Sequence, residues 1–302
     1  MVEDRRMNVA VFGLGSMGYG MAKSLLRDGH TVHGIDVAPE PMARFAGEGG
    51  ASGDLATIAP GLDAVVIVVL NAEQTESVLF GDHGVVAMLR SGAVVVSCAT
   101  VPPEFARAMA TACEAHQIQY LDAPISGGSV KAAAGQLSIM ASGSPASFDA
   151  AAPVLDATAE TVFKMGDEAG AGSVMKVVNQ LLAGVHIATR AEAITFGMKQ
   201  GLAPDRFLEV ISKCAGTSWM LENRAPHIIE GDYTPHSQID IWLKDLGIVL
   251  DIAKSNRFSA PIAAAALQQY VAAAGMGLGR EDDAAVAKVY ARNSGMDLPG
   301  EG

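Results

Sequence analysis

The run from Met7 to Asp36, MNVAVFGLGSMGYGMAKSLLRDGHTVHGID, leaves little freedom in what it can become. Val9-Ala10-Val11-Phe12 is a short apolar run of the kind a buried strand needs. Gly13-Leu14-Gly15-Ser16-Met17-Gly18 follows at once, and Met17, Met21 and Leu25 then recur at helical spacing. A second strand, Thr31–Ile35, ends at Asp36. The three glycines serve different mechanical ends. Gly13 permits a tight turn, Gly15 lets backbone approach a pyrophosphate, and Gly18 lets helix and strand pack closely. The pyrophosphate would rest on amides that the first helical turn leaves unpaired, which adds Leu14, Ser16 and Met17 to the candidate contacts. Asp36 stands where a carboxylate accepts hydrogen bonds from an adenosine ribose. Glycine turns alone are common; framed by strand, helix, strand and acid, this one reads as dinucleotide binding.

A chain of 302 residues has room for two domains with separate cores. Half of it is hydrophobic and 18% is charged, the balance of a packed globular protein rather than a disordered one. The net charge of −12, with no Lys/Arg block, argues against nucleic acid or an anionic membrane as partner, while a small anionic substrate remains open. Cys98, Cys113 and Cys214 show neither a disulfide framework nor metal-ligand spacing, so a cytoplasmic location and no metal are expected. MVEDRRM leads straight into the first strand, so no secretory leader is expected, and no apolar run has the length of a membrane span.

Up to about residue 165, short apolar runs alternate with helical patterns, the signature of a mostly parallel, doubly wound Rossmann sheet. Ala64–Leu70 (AVVIVVL) and Ala93–Ser97 read as strands buried on both faces, and Gln119–Asp122, Leu137–Ala141 and Thr161–Met165 as further strands. Ligands in such sheets sit beyond the carboxyl ends of the strands, which draws attention to Leu70, Asn71, Thr100 and Pro124 onward. From Gly170 the texture becomes helical only: a long helix over Ser173–Gln200, then Pro204–Cys214, Ile239–Ser255, Pro261–Ala274 and Asp282–Asn293. The expected division is 1–167 for a nucleotide-binding domain and 168–302 for an all-α domain joined to it by the long helix. The tail, Leu298–Gly302, reads as disordered.

Three stretches could carry chemistry. Ser126-Gly127-Gly128 follows a strand and can form an anion nest for a carboxylate, or serve only as a turn into the helix at Val130–Ala134. On the long helix, Ser173, Lys176, Asn179, Gln180, His186 and Arg190 fall within about 140° of one another at about 100° per residue. That stripe is either a solvated polar face or a buried functional one. A lysine buried there would have its pKa drawn down by desolvation, which suits proton transfer near neutral pH. Lys244, in WLKDL, taken alone reads as an exposed helix lysine.

Four ordered segments resemble the β-hydroxyacid dehydrogenases: GLGSMGYGMA (13–22), DAPISGGSVKAAAGQLSIMASG (122–143), GAGSVMKVVNQ (170–180) and LKDLGIVLD (243–251). The resemblance implies NAD-dependent oxidation of a small hydroxy acid, with Lys176 as catalytic acid/base and Asn179 beside it on the substrate hydroxyl. It implies that Ser126, Gly127 and Gly128 hold the substrate carboxylate and that Lys244 reaches cofactor or substrate. Thr100 and the backbone at Leu70–Asn71 would line the nicotinamide side of the groove, and the assembly would be a homodimer or homotetramer. VNQLLAGVHIATRAEA, AGTSWMLENR and EGDYTP are similar to a branch acting on a polyhydroxylated four-carbon acid. The chain departs from the family at Ser97-Cys98-Ala99-Thr100, where Asp-x-Ser-Thr is frequent, and at Gln180, where many members carry Asn. Lys131 is either a contact of that branch or an ordinary surface lysine. A non-catalytic nucleotide-sensing module is the alternative outside the enzymes, and such modules lack the helix lysine.

Overall fold

The structure, a computed structural model, describes residues 6–300. Contacts divide the chain into two compact units, Met1–Lys176 and Val177–Gly302. The first runs β1 (Asn8–Phe12), α1 (Ser16–Arg27), β2 (Thr31–Ile35), α2 (Pro39–Gly47), α3 (Leu55–Ile58), β3 (Ala64–Ile67), α4 (Ala72–Phe80), β4 (Val94–Ser97), α5 (Pro103–Ala115), β5 (Gln119–Asp122), β6 (Ile125–Ser126), α6 (Gly128–Ala134), β7 (Leu137–Ser142), α7 (Pro145–Thr158) and β8 (Ala159–Gly166). These strands form one sheet in the order β2-β1-β3-β4-β5-β7-β6, with β8 beside β7. The β2-β1-β3-β4-β5 pairs are parallel, β7 is antiparallel to β5 and β6, and β8 is again parallel to β7.

Strand β1 explains why helices cover both faces. Val9 and Val11 point into a core shared with Met21 and Leu25 of α1 and Val154 of α7. Ala10 and Phe12 point the other way, into a core with Leu79 of α4 and Met109 and Cys113 of α5. Successive strand residues face opposite sides, so a continuous apolar run can only be satisfied by two covering layers. Burial on that scale contributes roughly 1.5–3 kcal/mol per large aliphatic side chain. The run Ala64–Leu70 is shorter as a strand than its composition suggests. Val68 N still bonds to Phe12 O at 2.8 Å, but the chain then leaves the sheet to reach the start of α4 at Asn71. Leu70, although apolar, is half exposed there.

The long helix α8 (Ala171–Lys199) passes from the first unit into the second. The second unit continues with α9 (Pro204–Ile211), α10 (Trp219–Glu230), α11 (Ile239–Ser255), α12 (Pro261–Gly275), a 3₁₀ turn (Asp283–Val286) and α13 (Ala287–Ser294). Helix α10 is not among the elements expected from sequence, because Pro226 lies inside it. Its ends are nevertheless marked: Ser218 Oγ accepts from Leu221 N at 3.1 Å as N-cap, and Gly231 closes it at φ +66°. The tail differs from expectation too. Leu298 is buried in the helical core and Pro299 packs on Gly231, so residues 298–300 are ordered by packing; residues 301–302 lie outside the described residues. No helix among the described residues is long and apolar enough to cross a membrane.

Two adjacent buried carboxylates organise this unit. Asp283 accepts from Arg224 Nε (2.8 Å) and Trp242 Nε1 (3.0 Å). Asp282 accepts from His227 Nδ1 and from the amides of His236, Ser237 and Ala284. Burial by itself would raise the Asp282 carboxyl, yet the bonds from His227, Ala284 and His236 hold it at about 2, below its ordinary 3.8. A carboxylate depressed on folding contributes stability that is present above 3.8 and is lost as pH falls through about 2. The difference in unfolding free energy between the wild type and Asp282→Asn should therefore narrow as pH drops below about 4 in urea titrations. A difference that stays constant over that range would show that the charge on Asp282 is not what stabilises the turn.

Candidate active site

Three glycines in the β1–α1 turn look alike in sequence and differ in structure. Gly13 has φ +91°, and a Cβ there would stand 2.4 Å from Val68 O. At Gly18 a Cβ would stand 1.8 Å from Gly13 O. Both positions are closed to side chains by the protein's own packing. Gly15 is not: no protein atom lies within 4 Å of where its Cβ would be, and its φ of −68° suits any residue. Nothing in the fold demands glycine there, which fits a backbone kept bare for a ligand that must come close. Gly15 and Ser16 line a cavity of about 390 Å³ together with Leu14, Tyr19, Lys23 and Arg44, so a pyrophosphate on the start of α1 would meet cationic side chains as well as amides. Arg44 lies 3.9 Å over the Tyr19 ring, and Lys23 pairs with Glu48 at 2.7 Å.

Asp36 is tied to this turn. Its Oδ2 accepts from Leu14 N at 2.6 Å and its Oδ1 from Ala38 N at 2.9 Å. The acid thus sits at the end of β2 against the glycine turn, and each oxygen retains a lone pair for a ribose hydroxyl. Beyond β3, Asn71 caps α4 by accepting from Gln74 N at 2.8 Å, while Gln74 Oε1 accepts from Leu70 N at 2.8 Å. These two bonds fix the backbone of Leu70–Asn71 at the start of α4. Thr100 follows β4 by three residues and is half-buried. Cys98, just before it, is buried, and burial pushes its thiol up to about 12, so it is inert as a nucleophile.

The second cluster gathers where β5 ends. Asp122 is buried, and its Oδ2 accepts from Gly170 N (2.9 Å), Ser173 N (2.9 Å) and Ser142 Oγ (3.1 Å), its Oδ1 from Ser173 Oγ (2.7 Å). Burial raises its pKa against the lowering effect of these bonds. The acceptor therefore closes the amino end of α8, where the helix leaves amides without partners and its dipole favours an anion. One turn on, Lys176 is only 8% exposed and its Nζ donates to Ile125 O at 2.8 Å. Ile125 belongs to β6, whose next residues are Ser126, Gly127 (φ +137°) and Gly128 (φ +78°). Lys176 and Ser126–Gly128 are thus brought to one place within the first unit. Two successive positive φ values turn the chain sharply between β6 and α6, a conformation that glycine alone adopts readily.

The second unit carries the remaining candidates as one chain of bonds. Asn179 Nδ2 donates to Gln180 Oε1 at 2.9 Å, Gln180 Nε2 donates to Asp245 Oδ2, and Lys244 Nζ lies 2.6 Å from Asp245 Oδ1. Lys244 is not the exposed lysine that its local sequence suggests; its side chain is 21% exposed and paired. The polar stripe of α8 is likewise not a solvated face, since Ser173, Lys176, Gln180 and Arg190 are all buried. Lys131 pairs at the surface with Glu160 at 3.3 Å. Asp122, Asp245 and Gln74 are not singled out by sequence, and only Asp122 has a visible signal, an acid closing a strand before a glycine pair.

A glycine turn bare at one position, an acid at the end of the second strand and a buried lysine beside a second glycine turn are what a nicotinamide-nucleotide dehydrogenase requires. Residues 8–166 match the family model described as the NAD binding domain of 6-phosphogluconate dehydrogenase. Residues 170–290 match the one described as NAD-binding of NADP-dependent 3-hydroxyisobutyrate dehydrogenase. The chain is 47% identical to an L-threonate dehydrogenase of Cupriavidus necator, over 97% of this chain and 98% of that one, and 45% identical to that of Escherichia coli K12, over 97% of each. A solved 3-hydroxyisobutyrate dehydrogenase from Salmonella typhimurium is 45% identical, with a TM-score of 0.89, over 94% of this chain and 99% of that one. The chain belongs to the β-hydroxyacid dehydrogenase family, whose members include 3-hydroxyisobutyrate dehydrogenase. It is an NAD-dependent oxidoreductase acting on a hydroxy acid.

The glycines give a paired test. Gly18→Ala should destabilise the protein by about 3 kcal/mol, because the new Cβ meets backbone that cannot move aside. Gly15→Ala should leave the melting temperature nearly unchanged and weaken NADH binding roughly ten- to hundredfold, from about 1–3 kcal/mol of overpacking on the ligand. Fluorescence titration of NADH and thermal melts separate the two, and unaltered NADH affinity in Gly15→Ala would remove the pyrophosphate from that position.

Proposed function

We propose that the protein oxidises L-threonate at its 2-hydroxyl to the 2-oxo acid, with NAD as acceptor and Lys176 as acid/base. The observation that carries the reading is the Lys176 amine, buried and held at Ile125 O next to Ser126–Gly128. The relatives named L-threonate dehydrogenase, 44–47% identical over nearly the whole chain, support the choice of acid.

In this reading the Ser126 hydroxyl and the amides at Gly127–Gly128 hold the substrate carboxylate. NAD, bound on Gly13–Gly18 with its ribose on Asp36, supplies the acceptor for the hydride. Lys176, neutral at that moment, takes the hydroxyl proton; in the reverse direction its ammonium returns one to the forming alkoxide. Asn179 hydrogen-bonds the same oxygen, so the developing charge is shared by two groups. Lys244 contacts cofactor or substrate, and Thr100 and the Leu70–Asn71 backbone line the nicotinamide side. Asp36 also selects the cofactor, because a carboxylate repels a 2′-phosphate and Val37-Ala38 supplies no arginine to receive one. Subunits assemble as a homodimer or homotetramer, a reading supported by Val178, Leu182 and Phe196, which α8 leaves largely exposed. Three free cysteines fit a cytoplasmic setting.

Lys176→Met should lower kcat by about 10²–10⁴ while NADH binding persists. Wild-type turnover in that variant would take Lys176 out of the chemistry. The substrate is tested by initial rates of NADH formation on a panel of 2- and 3-hydroxy acids, where kcat/KM should be highest for L-threonate. A higher value for 3-hydroxyisobutyrate, or for tartronate semialdehyde in the reductive direction, would reassign the acid and leave the role of Lys176 intact. The same assay with NADP in place of NAD should give a lower kcat/KM; equal values would refute the role given to Asp36.

A further inference from the structure

Asn179 and Gln180 are neighbours on α8, and neighbouring residues of a helix point about 100° apart. Their side chains nevertheless meet, with Asn179 Nδ2 donating to Gln180 Oε1 at 2.9 Å. Bringing two amides together in this way costs torsional freedom, and nothing in the helix itself turns a glutamine toward the residue before it. The far end of Gln180 supplies the hold. Its Nε2 donates to Asp245 Oδ2 on α11, and Lys244 Nζ lies 2.6 Å from the other oxygen of that carboxylate. Gln180 and Asp245 are buried, while Asn179 is half-buried.

The carboxylate also gives this chain of bonds a direction. A carboxylate paired with a lysine only accepts, so Gln180 must turn its NH2 toward Asp245 and its carbonyl toward Asn179. That carbonyl likewise only accepts, so it takes the amide nitrogen of Asn179 and not the amide oxygen. One N–H of Asn179 Nδ2 is used in the bond, and the second N–H and Oδ1 are left for other partners. Turning either amide over would set acceptor against acceptor, with the desolvation penalty of a buried group left unmade.

We propose, on the role given above to Asn179, that Gln180 is a positioning residue for the oxidation. It carries the polarity of the buried Asp245 carboxylate to the Asn179 amide and fixes which atoms of Asn179 meet the substrate hydroxyl. Gln180 acts through Asn179 alone.

The test is a double-mutant cycle on the full-length enzyme, run with L-threonate or whichever acid of the panel the wild type oxidises fastest. Gln180→Met keeps the volume of the side chain and removes both of its hydrogen bonds. Gln180→Asn keeps an amide that is one methylene short of Asp245, and as the milder change it serves where Gln180→Met does not fold. Each should lower kcat about ten- to a hundredfold, the scale of a misplaced contact, with the KM for NAD nearly unchanged. In the Asn179→Ala background the same substitutions should leave kcat where Asn179→Ala alone puts it, because the group through which Gln180 acts is gone. A purely structural role would lower kcat by the same factor in both backgrounds. That result, or wild-type kcat in the Gln180 variants while Asn179→Ala is impaired, would overturn the proposal and leave the role of Asn179 standing. Full activity in Asn179→Ala would overturn both.

Discussion

The Asp122 carboxylate closing the amino end of α8 is the interaction on which the chemistry of the first unit depends. Two backbone amides and two hydroxyls converge on it, from Gly170, Ser173 and Ser142. Ser142 in turn accepts from Gly172 N at 2.9 Å, so the turn that begins the helix is pinned at the amides of Gly170, Gly172 and Ser173. Gly172 is also a contact of necessity, since a Cβ there would lie 2.2 Å from Met140 O. The result is that Lys176, one turn into the helix, is placed by the last residue of a central strand rather than by a loop. The acid/base role proposed for this amine needs that precision, because misplacement by an ångström can cost about a hundredfold in rate. The cost is a buried carboxyl whose pKa is raised despite its bonds.

This anchoring also explains why the compact division falls at Lys176, later than the change in composition at 165–172. Helical texture begins where the chain stops alternating strand and helix. Packing follows hydrogen bonds, and the first turns of α8 are bonded to β5, β6 and β7.

What the residues announce in advance is mostly what rests on period and punctuation. The β-branched run at Ala93–Ser97 places β4 to within a residue, because a strand buried on both faces has few alternatives; β2 and β5 also fall at Thr31–Ile35 and Gln119–Asp122, although β5 has no β-branched residue. Val68–Leu70 misleads for the same reason: the composition continues, but the chain must leave the sheet to start α4. Helix α10 is hidden by Pro226, although a proline that deep in a helix only removes one bond when flanking caps and a buried face at Leu221, Ala225 and Ile228 hold the rest. At the glycine turn, the motif names the right residues but cannot rank them. Only the packing in three dimensions separates Gly13 and Gly18, excluded from side chains by the fold, from Gly15, which the fold would tolerate as alanine.

Helix α8 buries polar and apolar side chains together. Ser173, Lys176, Gln180 and Arg190 are buried along with Val177, Ile187, Ala191 and Ile194, while Val174, Met175, Val178 and Leu182 are substantially exposed. The buried polar groups are met by individual bonds: Ser173 to Asp122, Lys176 to Ile125, Gln180 to Asp245. Gln180 reaches the Asp245 carboxylate of α11, a bond for which the shorter Asn would lack a methylene. Each of these bonds removes a desolvation penalty that would otherwise count against the orientation. Arg190, further along the stripe, donates its Nη2 to Ile187 O at 3.5 Å and lies in the field of the Asp283 and Asp282 carboxylates, which favours its charged form against the cost of burial.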